Sequence, residues 1–156
     1  MSRCQYKIEN KGEVCELKLV GVIDDSFPTA NIQLPADKPI EINLNEIKMI
    51  NSLGIREWIK FVNSVQSKNV SIVCCPKIFI DQVNMVQGFI PAEFKIKSFY
   101  VPYFNEDDDL EKSILYISGK DYGDGFLNVK STINHESGAV LDIDVMEQKY
   151  FKFLKV

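Results

Sequence analysis

Few side chains in this 156-residue sequence stand in patterns that chemistry could use. Ser52 follows Asn51 at the point where an apolar pattern of helical period begins, and both residue types are good helix N-caps. A hydroxyl placed there lies beside unpaired backbone N–H groups and the positive end of the helix dipole, a position that would also accommodate a phosphoryl group. Asp24 and Asp25, next to Ser26, are a carboxylate pair of the kind acid–base chemistry uses, but at a strand end they read as an Asx-type turn. The acidic run from Glu106 to Asp109 lacks the D-x-[DN]-x-[DN]-G spacing and closing Glu of a calcium loop, and reads as a solvated loop. Asp121-Tyr122-Gly123-Asp124-Gly125 has glycines without either phosphate-binding frame, so it reads as a turn. The single histidine, His135, has no nucleophile-elbow serine or cysteine to serve, since G-x-S-x-G is absent. Cys4 and Cys15 stand alone and Cys74 and Cys75 are adjacent; without C-x-x-C spacing they read as buried or half-buried thiols, not a zinc or redox site. No set of residues has the types and spacing that catalysis needs, so a non-enzymatic protein with no cofactor and no metal is expected.

The elements that must position Ser52 are legible around it. In residues 39–62, Ile40, Ile42 and Leu44 alternate with Glu41, Asn43 and Asn45, the period of a half-buried strand, while Ile55, Trp58, Ile59, Val62 and Val65 recur at helical spacing. The pattern predicts a strand, a tight connection and an amphipathic helix. Before it, residues 5–10 and 13–20 read as strands joined by Lys11-Gly12, and residues 21–38, with Pro28 and Pro35, as a loop or short helical turn. After it, residues 70–75 form an apolar run expected of a strand buried on both faces, and Pro76 opens a helix over 77–87 whose Phe79, Ile80, Val83 and Val86 share a face. Phe94, Ile96 and residues 98–101 read as a last strand. This alternation predicts a mixed α/β layer fold. Beyond Pro102 the character changes: residues 114–118 and 126–133 are strand-like around a turn at 120–125, and residues 146–155, with Tyr150, Phe151, Phe153 and Leu154, read as a docked helix or folded tail.

Composition narrows the function classes. Hydrophobic residues at 46% and charged residues at 26% are ordinary for a globular chain. A net charge of −4 and a pI near 5.1 argue against nucleic-acid binding, which calls for a basic patch. No apolar run approaches the roughly 20 residues that span a bilayer. The first ten residues carry no apolar secretory core, so a cytoplasmic location is expected.

The order strand, polar turn, Asn51-Ser52-Leu53-Gly54-Ile55, helix resembles the STAS domain of bacterial anti-sigma-factor antagonists. In that family the turn reads approximately Asp-Ser-Ser-Gly-Leu, and its first serine is phosphorylated by a partner kinase. Ser52 falls on that serine, Gly54 on the glycine and Ile55 on the leucine; Asn51 stands where the family has Asp, and Leu53 where it has a second Ser. Val20, Gly21, Val22, Ile23 and Asp24 resemble a strand-end segment of the same family. The likeness spans residues 5 to 103. It implies a STAS-like mixed β-sheet of four or five strands with helices packed mainly on one face, in residues 1–104, followed by a small β-rich appendage in residues 105–156. It also implies a non-enzymatic signalling module whose Ser52 is a phosphorylation candidate, with Asp24, Asn51, Ser52, Leu53, Gly54 and Arg56 binding a kinase-like or anti-sigma-type protein. The alternative is a scaffold protein that keeps the fold without the switch, marked by an exposed apolar patch around Tyr150, Phe151 and Phe153; a small-ligand groove beside the Asn51 turn is a third option. The appendage resembles a zinc ribbon whose cysteines, near residues 105–108 and 134–137, are missing. That likeness implies a degenerate ribbon in which Tyr116, Phe126 and Val140 replace the metal's role.

Overall fold

The computed structural model describes residues 3–155, so what was expected of Met1, Ser2 and Val156 lies outside the described residues. Strands β1 (Cys4–Lys11) and β2 (Val14–Ile23) form a hairpin, closed at Gly12, whose φ of 66° a side chain would oppose. β3 (Ile40–Ile50), helix α1 (Ser52–Ser64), β4 (Val70–Val73), helix α2 (Lys77–Met85) and β5 (Lys95–Ile96) follow. The first sheet has the order β1-β2-β3-β4-β5, antiparallel between β1 and β2 and parallel thereafter. This is the mixed five-stranded sheet and α/β architecture that the sequence predicts.

Register explains which face is dry. Cys15 pairs with Ile40 and Leu17 with Ile42, while Ile40 pairs with Val70 and Ile42 with Ile72. Pairs in register share a face, so these side chains form one apolar layer. Both helices cover it: Trp58 and Phe61 of α1 are buried, and Trp58 meets Phe79 of α2 at 5.0 Å, edge to face. Trp58 Nε1 donates to Phe89 O at 3.0 Å, which satisfies the indole deep in the core. The opposite face carries Lys7, Glu9, Lys18 and Glu41.

The segment over residues 24–39 holds no regular helix; β2 runs on to Ile23, and two turns follow, one in which Phe27 N donates to Asp24 O and one in which Asn31 N and Ile32 N donate to Pro28 O. Buried Phe27 and Ile32 anchor it. The second helix ends at Met85, two residues before the expected stop, and Val86 N closes its last turn on Gln82 O.

The expected last strand is two strands. β5 pairs with β4, whereas β6 (Ser98–Asn105) pairs with β7 (Leu110–Ile117), with Lys97 alone between them. Cys74 explains the break: its φ of 54° is left-handed, so β4 stops at Val73 and Cys75 is turned to bridge Phe99. The second sheet has the order β10-β11-β6-β7, with β10 (Thr132–Asn134) and β11 (Val140–Ile143); β8 (Tyr122–Gly123) and β9 (Phe126–Leu127) form a small ribbon. The boundary expected between residues 104 and 105 falls inside β6, one residue before its end, and one buried cluster joins Trp58 and Phe79 to Phe99, Tyr103, Tyr116 and Leu141.

The tail folds as helix α3 (Glu147–Tyr150) and a 3-10 turn (Phe151–Leu154). Tyr150 and Phe151 are buried against Phe99, and Asn84 Nδ2 donates to Tyr150 O at 2.9 Å. The apolar patch that would mark a scaffold is therefore packed inside. The zinc-ribbon likeness also gains no support. Of the three residues expected to stand in for a metal only Tyr116 is buried, while Phe126 and Val140 are exposed. What holds Tyr116 is a hydroxyl pair with Tyr103 at 2.6 Å, closed by Lys130, whose N donates to Tyr116 and whose O accepts from Tyr103. Among the described residues no three His, Cys, Asp or Glu side chains are grouped to hold a metal ion, and no helix is long and apolar enough to cross a membrane.

Candidate functional site

The β3–α1 connection is a single residue, Asn51, and it decides the local geometry. Its backbone is extended and its side-chain oxygen accepts from Gly54 N at 2.8 Å, so Asn51 is the N-cap and Ser52 the first residue of the helix. Residue type alone left both as candidates. Asn51 N also donates to Ile23 O at 3.2 Å, which ties the start of α1 to the end of β2.

Gly54 is where that contact is tightest. A Cβ there would lie 2.0 Å from Ile23 O and 2.9 Å from Asp24 N. The helix can sit this close to the strand end only because residue 54 has no side chain.

Asp24 is drawn to the same spot by that approach, but its carboxylate faces inward and is buried. Oδ1 accepts from Ser26 N at 2.9 Å and from the Ser26 hydroxyl, while Arg3 lies 3.5 Å from Oδ2. These partners hold the Asp24 carboxyl below its ordinary range: the Ser26 hydroxyl contributes most, then the Ser26 N–H, with the Arg3 charge adding to them against the opposing effect of burial. The Asp24–Ser26 contact is the Asx-type turn expected at this strand end. Asp25 takes no part in a carboxylate pair with it.

Of the six residues expected at a partner surface, the fold therefore separates two groups. Asn51, Ser52, Leu53 and Arg56 are exposed around the first turn of α1, with Leu53 at 48% relative exposure. Asp24 and Gly54 are buried beneath them and position the turn. Ser52 and Arg56 are four residues apart, so they lie on the same side of the helix. Met49, at 55% exposure next to the last residue of β3, is an exposed apolar residue two positions before Asn51 that sequence reading missed. Arg3 was missed as well; no local pattern connects it to Asp24, and only the β1–β2 register brings the two ends of the hairpin together.

The other chemistry-bearing candidates do not converge. His135 Nδ1 accepts from Ser137 N at 3.0 Å within the exposed β10–β11 turn. Asp121 is buried and accepts from Ile117 N at 2.8 Å, closing a turn. In the acidic run, Asp108 N donates to Asn105 Oδ1 at 2.9 Å in a local Asx turn. The four cysteines are thiols, and burial pushes Cys4 up to about 11 and Cys75 higher still, away from nucleophilic use. Three cavities lie elsewhere, one of about 550 Å³ between Phe94, Tyr122 and Phe153, one of about 510 Å³ between Val62, Val70 and Phe94, and one of about 420 Å³ between Asn84, Met146 and Tyr150.

No family model and no curated protein matches the chain. Among solved structures it is similar to an uncharacterized protein of the DUF3478 family with a SpoIIAA-like fold from Shewanella loihica PV-4, at 18% identity, with a TM-score of 0.39 over 68% of this chain and 90% of that one. At that score the site stands on its own geometry.

Proposed function

We propose that this chain is a non-enzymatic bacterial regulatory module, acting in the cytoplasm, that binds a protein partner through the exposed first turn of α1 and is switched by phosphorylation of Ser52. The observation that carries this reading is the position of Ser52: exposed, first in a 13-residue helix, and held by a rigid support of Asn51, Gly54 and Asp24 beneath it. A phosphate there adds about −1.5 to −2 charges at the positive end of the helix dipole and within reach of Arg56, which favours its presence on the free protein. The same charge next to exposed Leu53 disfavours a close apolar contact with a partner through desolvation. Partner release on phosphorylation follows from these two effects together. A kinase-like or anti-sigma-type protein is the class of partner this reading calls for.

The test uses tagged wild-type, Ser52→Ala and Ser52→Asp chains as parallel baits in the native host, with quantitative mass spectrometry of co-purifying proteins and of the Ser52 peptide. The expected result is a partner retained by wild type and Ser52→Ala and depleted with Ser52→Asp, together with a phosphorylated Ser52 peptide. Equal recovery by all three baits would overturn the switch.

A further inference from the structure

The first sheet ends in β1, and among the described residues no strand pairs with its outer edge. The backbone groups available there can be assigned. Val22 N bonds Arg3 O across the hairpin, whereas Cys15, the partner of Asn10, gives its N–H to Pro39 O on the other side. Hydrogen-bonded pairs alternate in an antiparallel ladder, so the odd residues of β1 face β2, and Tyr6, Ile8 and Asn10 point N–H and C=O at the free edge. Tyr6 and Ile8 are also exposed large apolar residues, at 38% and 36%.

The charges on this strand are arranged in an unusual way. Lys7 stands directly opposite Lys18 on β2, and Glu9 directly opposite Glu16. Like charges in direct cross-strand register oppose each other. The ion pairs lie off these rows, Lys11 reaching Glu16 at 3.1 Å and Lys18 reaching Glu46 at 3.7 Å; the Lys11 charge also acts on Glu9, but neither Lys7 nor Glu9 is a member of either bridge.

We infer that β1 is a self-association edge: two copies of this chain pair antiparallel through β1, with Ile8 opposite Ile8 of the second copy on the two-fold axis, to form one continuous sheet of ten strands. The charge pattern selects this partner and this register. With Ile8 on the axis, Lys7 faces Glu9 of the other copy and Glu9 faces its Lys7, so each outer-face row runs Lys18, Lys7, then Glu9 and Glu16 of the second chain. Two positive charges meet two negative ones, and the like-charge pairs of the monomer become complementary halves. Tyr6 falls opposite Asn10, and the edge groups of Tyr6, Ile8 and Asn10 find one another as hydrogen-bonding pairs. Shifting by one pair of residues in either direction places Lys7 on Lys7 or Glu9 on Glu9 at the axis, which repels. Odd shifts turn side chains to the wrong face. An edge contact of this length is small, so the dimer belongs to the weak class, half formed at about 100 µM.

The test is sedimentation velocity with light scattering on the full chain, at about 50 mM and about 500 mM salt. Wild type should dimerise at low salt and less at high salt. Lys7→Glu and Glu9→Lys each convert two attractive contacts to repulsive ones by symmetry, and each variant alone should weaken the dimer by about tenfold or more. An equimolar mixture of the two should recover dimer, and so should the double variant. Each single change places an opposite charge across from Lys18 or Glu16 within the hairpin, so thermal melts should show the fold retained. A wild-type chain that stays monomeric to about 1 mM, a dimer indifferent to both charge reversals, or a mixture that stays monomeric would overturn the inference.

Discussion

Replacing Gly54 with alanine should destabilise the protein, against the direction that helix propensity alone dictates. In an exposed helix interior Ala is better than Gly by about 1 kcal/mol. Here the added Cβ would sit 2.0 Å from Ile23 O, and a tolerable approach is no closer than 3.0 Å, so α1 and the β2 end must separate by at least 3.0 − 2.0 = 1.0 Å. That shift stretches the 3.2 Å bond from Asn51 N to Ile23 O and disturbs the seat of Trp58 against Phe79. Overpacking of this kind costs about 1–3 kcal/mol and a lost hydrogen bond about 1 kcal/mol, which leaves a net loss of about 2 kcal/mol after the propensity gain. For a chain of this length that corresponds to a fall in Tm of about 4–8 °C, measured by calorimetry or far-UV circular dichroism. The circular dichroism at low temperature should stay native, separating a strained fold from a lost one. A Gly54→Ala chain that melts at or above the wild-type temperature would refute the close approach of α1 to the strand end, and with it the support assigned to Ser52.

Two further outcomes probe the same support. Asn51→Ala removes the cap on Gly54 N and should lower stability by about 1 kcal/mol, read as a shift of a few degrees in Tm, whereas Ser52→Ala should leave Tm nearly unchanged because Ser52 is not the cap. Asp24 has a folded pKa below its ordinary 3.8, so its contribution is fully present above that value and is lost as pH falls through the lower folded one. Urea midpoints measured from about pH 5 down to about pH 2 should therefore fall more steeply for wild type than for Asp24→Asn. Parallel slopes would mean that Ser26 and Arg3 do not stabilise the carboxylate.

How much of this was legible beforehand depends on how far apart the interacting residues are. The β3–α1 unit was readable because both of its periods are local: Ile40, Ile42 and Leu44 alternate, and Trp58 and Val62 fall on one helical face. The hairpin turn at Gly12 and the start of α2 after Pro76 are equally local signals of backbone geometry. Sequence by itself therefore determined the alternating α/β order and placed the Ser52 hydroxyl near the head of the first helix.

Tertiary structure decided the rest, wherever the outcome turned on contact between distant segments. Asn51 and Ser52 are both good caps, and the choice was made by where β3 ends and how α1 meets Ile23. Asp24 reads as a surface strand-end residue, yet hairpin register delivers Arg3 to it and the approach of Gly54 buries it. Residues 94–101 read as one strand in sequence but belong to two strands in space, because the left-handed turn at Cys74 sends Cys75 to Phe99. Phe126 and Val140 have core-like side chains and lie outside, since the Tyr103–Tyr116 pair fills the second sheet's interior. Likewise Lys7 and Glu9 are ordinary charges in a strand pattern; only the register against Lys18 and Glu16 gives them a sign pattern that a second copy completes. Periodicity reports which side of an element is apolar, and only packing reports what stands opposite it.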